Sequence, residues 1–181
     1  MKLIESKVEI IEQQPGLEGV YKQIELAGRT CYKSEDKITE DSAKEFVDRM
    51  IKSNHLAMLE HGTVYLALPT ETIFPMSANI WYKYRQNKYS KGGVVCEVDG
   101  EKRVAVTTNL RVLVENGWLD DLKYICEPTE YHEKRYTFRL ITSIGVTREL
   151  NRHRVNSIAE QSTRYCNYSK DKFENEIKFI E

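Results

Sequence analysis

The sequence predicts an α+β fold in which helices pack on a largely antiparallel sheet. Segments with strand and with helix periodicity both occur, but they lack the strict alternation of a doubly wound parallel sheet. Asp99-Gly100 stands between two β-branched runs and suits a tight hairpin turn, which makes the flanking strands antiparallel. A chain of 181 residues is long enough to bury one apolar core without disulfide or metal staples, so a single domain over 1–181 is expected.

Residues 8–11 read as a strand stopped by Pro15-Gly16, after which Leu17, Val20, Ile24 and Ala27 recur at helical spacing up to Gly28. Thr39 or Ser42 can cap a second helix with Phe46, Val47, Met50 and Ile51 as its stripe. Glu40 and Asp41 suit its positive end, and the helix should stop near Asn54. Residues 62–68 alternate Val64, Leu66 and Leu68 against Thr63, Tyr65 and Ala67, a strand closed by Pro69. Residues 70–93 mix aromatic and cationic side chains without a period and read as an irregular excursion. Residues 94–98 and 103–106 form the hairpin around Asp99-Gly100. Residues 110–115 and 119–125 read as short helices parted by Asn116-Gly117, the second ended by Pro128. Residues 136–141 are rich in β-branched and aromatic side chains and read as a strand. Gly145 then leads into a helix over 146–154, with Val146, Leu150 and His153 on one face and Glu149 and Arg152 together on the next.

Composition narrows the function. The 27 Lys and Arg nearly cancel the 28 Asp and Glu, so no global field draws the protein to nucleic acid or an anionic membrane, and any anion site must be local. The N-terminus alternates charged and apolar residues and resembles no signal peptide, which points to a cytoplasmic protein with no membrane partner. Cys31, Cys96, Cys126 and Cys166 form no CxxC pair and read as reduced thiols. His55 and His61 around Glu60 read as structural rather than as metal ligands, and His132 as a solvated loop residue. No metal site is expected.

The densest polar run is RHRVNSIAEQSTRY, from Arg152 to Tyr165. Arg152, Arg154 and Arg164 keep their charge at any working pH and present planar forks that match phosphate and flat heteroaromatic oxygens. Ser157, Ser162 and Thr163 add neutral hydrogen bonds, and Glu160 can accept from a ribose hydroxyl, a ring N–H or an arginine. Such a set fits a nucleotide better than a bare sulfate, although arginines paired with Glu149 and Glu160 at a solvated helix end would look the same in sequence. Neither a Gly-rich phosphate loop nor a GxGxxG turn occurs, so a nucleotide here is held by side chains.

The Arg-His-Arg triplet followed by Ser162 and Arg164-Tyr165 resembles the signature motif of the flavin-dependent thymidylate synthases. Ala27-Gly28-Arg29-Thr30-Cys31-Tyr32 and the stretch from His55 to His61 are weaker matches in the expected order. The resemblance implies conversion of dUMP to dTMP, with methylenetetrahydrofolate giving the carbon, reduced FAD the hydride and NADPH restoring the flavin. It implies FAD contacts from Arg152, His153, Arg154 and Glu160, with Glu60 and Ala57 upstream. It implies a dUMP site lined by Glu149, Arg152, Glu160, Gln161, Ser162, Thr163 and Arg164, of which Arg152, Ser162 and Arg164 act on the reacting substrate. Ser162 reads as a hydrogen-bond donor, not a nucleophile, and the cysteines have no catalytic role. Ala57 stands where the family often has Thr, and Glu149 where Gln is common. The resemblance further implies a homotetramer with shared sites, an insertion over 70–131, and a C-terminal portion with no counterpart here.

A competing reading rests on Trp81 to Gly93, where Trp81, Tyr82, Tyr84 and Tyr89 interleave with Lys83, Arg85, Lys88 and Lys91 as in a stacking platform of a nucleic-acid-binding module. A third reading is a catalytically incomplete remnant that binds nucleotide or flavin.

Overall fold

The computed structural model describes residues 2–70, 79–98, 100–162 and 178–180. It shows an α+β architecture whose main sheet is antiparallel. In chain order the elements are β1 (Lys2–Ile4), β2 (Lys7–Ile11), α1 (Gly16–Tyr32), α2 (Ser42–Lys52), β3 (Thr63–Pro69), α3 (Tyr82–Gln86), β4 (Lys91–Val98), β5 (Glu101–Asn109), α4 (Leu110–Asn116), β6 (Thr137–Ile141), α5 (Ile144–Leu150) and β7 (Lys178–Ile180). Among the described residues the strands form an antiparallel sheet β3-β5-β4, an antiparallel ribbon β2-β6 and a parallel pair β1-β7.

The expected hairpin is present, with Leu66 opposite Val106 on one side of β5 and Val95 opposite Val104 on the other. Its outer strand starts earlier than expected, because a bulge between Gly92 and Val94 carries the pairing back to Lys91. Glycine is suited to both places: Gly93 takes φ 115°, and a Cβ on Gly92 would lie 2.7 Å from Val106 Cγ2.

The core lies between this sheet and the helices. Val20 and Ile24 of α1, Phe46 and Val47 of α2, Leu59, and Leu110 and Leu113 of α4 join Val64, Leu66, Leu68, Val104 and Val106. Helix α1 does not stop at Gly28 but runs to Tyr32. Gly28 is there for closeness rather than for termination, since a Cβ would sit 2.5 Å from Phe46 Cζ. The chain turns at Lys33, φ 47°, where the Ser34 amide donates to Arg29 O at 3.0 Å. Arg29 and Glu25 pair inside this junction at 2.6 Å, with the Ser42 hydroxyl donating to the second Glu25 oxygen at 2.9 Å. Ser42 therefore braces α1 instead of capping α2, whose N-cap position is Asp41.

Four further expectations change. Residues 82–86 form α3, because Ile80, Trp81 and Tyr84 pack on the core and turn the mixed pattern inward. Residues 119–124 form a 3-10 turn rather than an α-helix. Helix α5 ends at Leu150, after which the Arg152 and His153 amides bond three residues back, to Glu149 O at 3.1 Å and Leu150 O at 2.9 Å. His132 is buried, not solvated: the Thr129 amide donates to Nδ1 at 3.1 Å, and Nε2 donates to Leu66 O at 3.1 Å. These bonds fix a neutral ring, and burial holds its pKa below 6.5. With the Leu66–Ile125 bridge and the Cys126 amide on Tyr65 O at 3.0 Å, the His132 ring, edge-on to Tyr65, helps to cover β3.

Candidate functional site

The Arg-His-Arg run sits where α5 unwinds into open chain. Arg152 Nη1 donates to Glu149 Oε2 at 2.7 Å, and both side chains are well exposed. The Glu149 carboxylate therefore has its charge matched by Arg152. Among the described residues Glu160 pairs with no arginine; its Oε2 accepts from the Asn151 side-chain amide at 2.7 Å. His153 and Arg154 are exposed, and Arg154 makes no ion pair among the described residues. Val155 beside them is 99% exposed. Gln161 is also exposed, while Thr163 and Arg164 lie outside the described residues.

Two contacts tie this loop to the body. Ser157 Oγ donates to Glu60 Oε2 at 2.7 Å, which joins the run to the 3-10 turn Leu56–His61. The Ser162 amide donates to Cys31 O at 2.8 Å, which joins it to the end of α1. Those two anchors belong to the same upstream stretches that resemble the family motifs. They also touch each other, with Cys31 Sγ 3.9 Å from Met58 Sδ. Ala57 is exposed on the same turn as Glu60.

Sequence reasoning missed a further member. Arg111, the second residue of α4, places Nη1 2.5 Å from the other Glu60 oxygen and Nε 2.7 Å from Glu115. An arginine at this spacing looks like any surface i,i+4 pair, and only the tertiary contact with Glu60 marks it out.

Other candidates resolve differently. His61 is half-buried, its pKa pushed below 6.5 by burial, and its Nε2 has no hydrogen-bond partner among the described residues. No group of three His, Cys, Asp or Glu side chains with metal-holding geometry occurs among the described residues. No described helix is long and apolar enough to cross a membrane. The aromatic and cationic strip is not a free platform: Tyr84 is fully buried and donates to Asp121 at 2.5 Å, and Lys83 pairs with the same carboxylate at 2.6 Å. A cavity of about 390 Å³ opens between β2, β6 and α5, lined by Lys7, Val8, Leu140, Val146 and Leu150.

Residues 122–180 match the family model described as thymidylate synthase complementing protein, a stretch that contains the whole Arg152 to Tyr165 run. No curated protein and no solved structure matches the chain. The two upstream stretches lie outside the matched residues, so their docking onto the run is an observation independent of that match.

Proposed function

We propose that the chain is a flavin-dependent thymidylate synthase, converting dUMP to dTMP in the cytoplasm. The observation that carries this reading is the pair of contacts Ser157–Glu60 and Ser162–Cys31, which bring all three motif-like stretches to one place. The donor set fits FAD and a nucleotide. Two arginine forks and a histidine stand open on an exposed loop, with Arg154 offering its full charge to an anionic oxygen.

In this reading Arg152 and Arg154 hold anionic oxygens of flavin and dUMP, with His153 and Glu160 contacting flavin and Ala57 and Glu60 bordering it. Glu149 keeps the Arg152 fork oriented through their 2.7 Å pair. Gln161, Ser162, Thr163 and Arg164 line the dUMP side. The Ser162 hydroxyl donates a hydrogen bond to substrate, and Arg164 supplies a further fork. When bound, reduced FAD supplies the hydride, methylenetetrahydrofolate the carbon unit, and NADPH the reducing equivalents. Alignment of the reactants carries most of the rate in this scheme, and positioning is worth about 7–11 kcal/mol in well-oriented reactions. We also propose a homotetramer, supported by apolar side chains exposed on β2, β6 and α5, among them Ile10, Phe138 and Ile144.

The test is the visible absorption of the purified protein with and without added FAD, followed by dTMP formation from dUMP, methylenetetrahydrofolate and NADPH. Flavin absorbance that follows the protein is expected, and whatever dTMP forms should require FAD. Absorbance of co-purifying nucleic acid in place of flavin would favour the nucleic-acid-binding module.

A further inference from the structure

We propose that Arg111 is a positioning residue for the motif loop: through Glu60 it holds Ser157 and so sets where Arg152 and Arg154 stand. This rests on the functional reading above for what the arginines bind, but not for the mechanical link itself. The three groups come from three separate elements, α4, the turn Leu56–His61 and the loop after α5. Glu60 uses one oxygen for Arg111 and the other for Ser157, so its carboxylate is oriented from both ends.

Arg111 is fixed before it reaches Glu60. The amide of Leu110 donates to Gly62 O at 3.0 Å, and the Asn109 side chain caps α4 by accepting from the Val112 amide at 3.0 Å. The start of α4 is thereby bonded to the residue next to the Glu60 turn. Glu115 holds the Arg111 Nε at 2.7 Å, so the guanidinium presents Nη1 to Glu60 with its orientation already chosen. A lysine could not serve both carboxylates from one planar group. An isolated exposed ion pair contributes little, because ordering two long side chains offsets the attraction. Here both the fork and its helix are ordered by other bonds, and what Arg111 adds is the direction of Glu60.

The loop has a readout of its own. The amides of Arg152, His153 and Asn156 are bonded to Glu149 O, Leu150 O and His153 O, so their hydrogen exchange reports opening of the segment that Ser157 anchors. Arg111→Gln and Ser157→Ala are each expected to speed exchange at these three amides about fivefold, with the melting temperature unchanged. The double variant should match either single one, since both cut the same link. Glu115→Gln keeps a side-chain oxygen that accepts from the Arg111 Nε, so the fork stays oriented and exchange should remain as in the unaltered protein. Affinity for FAD, titrated by flavin fluorescence, should fall about fivefold in Arg111→Gln and Ser157→Ala alike.

Exchange that stays unchanged in Arg111→Gln, or effects of the two substitutions that simply add, overturns the proposal. If the unaltered protein binds neither FAD nor dUMP, the functional reading fails, while the exchange measurements still decide whether Arg111 positions the loop.

Discussion

The body built on β3, β5 and β4 and the limb built on β2, β6, α5 and the motif loop are made by opposite rules. In the body the central apolar groups are covered: Leu66, Leu113 and Tyr84 are fully buried and the Tyr84 hydroxyl reaches Asp121, while Val94 and Val95 on the outer strand β4 stay exposed. In the limb, Val8, Ile10, Phe138, Val146 and Val155 are exposed, and Arg152 and Arg154 stand in solvent. A chain gains little by exposing such side chains in isolation. The difference teaches that the body is built mainly as a scaffold, whereas the limb, in our reading, is shaped for what it meets: ligand at its charged end and other copies of the chain along its apolar face.

The largest expected effect breaks the scaffold. Leu113→Ala removes a fully buried side chain and should lower unfolding free energy by about 2–5 kcal/mol, measured by urea titration. Phe138→Ala on the ribbon should cost less than about 0.5 kcal/mol at low protein concentration. A cost that grows with protein concentration would show that other copies cover the ribbon.

Gly28→Ala tests the tightest helix contact and should cost about 1–3 kcal/mol by thermal melting. Its new methyl meets the Phe46 ring at 2.5 Å, and that ring lies under Arg29, 5.2 Å from its centroid, with Arg49 also against it. A variant as stable as the parent would mean that α1 and α2 can separate without loss.

A smaller effect concerns pH. Burial lowers the pKa of His132 and of His61 below the ordinary 6.5. Between the two values the unfolded chain binds more protons than the folded one, so their contribution to stability is full above about pH 6.5 and is lost as pH falls through the lowered folded values. Unfolding free energy should therefore decline from pH 7 toward pH 5. His132→Asn should flatten that decline, although it also loses the bond to Leu66 O and so starts lower. An equal slope in the variant would place the pH dependence elsewhere.

The same contrast explains what was legible in the sequence. Period and turn chemistry placed β2, α2, β3, the hairpin and β6 within a few residues, because each is decided by neighbours along the chain. The misjudged elements depend on distant partners. Gly28 looked like a stop until Phe46 explained it, Tyr84 looked like a surface aromatic until Asp121 accepted from its hydroxyl, and His132 looked solvated until the Leu66 carbonyl accepted its N–H hydrogen bond. At the candidate site, the cationic cluster of the Arg-His-Arg run was visible in its own letters. The Arg111 contact was not, since its partner is a carboxylate far away in sequence.

The smallest expected effect on stability belongs to the residue on which the functional reading leans most. Arg152 is three-quarters exposed, and its one ion pair among the described residues is with Glu149, itself largely in solvent. Surface pairs of this kind contribute little, so Arg152→Ala should leave the unfolding free energy within about 0.5 kcal/mol of the parent. Binding should respond quite differently. A guanidinium that meets an anionic ligand oxygen in a partly desolvated site is worth more than the same group in water, and its removal should weaken FAD and dUMP each by about tenfold or more. Titration of each ligand against the variant, alongside its melting curve, separates the two. A folded variant with unaltered affinity for both ligands removes Arg152 from the site. A variant that loses one ligand alone assigns the fork to that ligand.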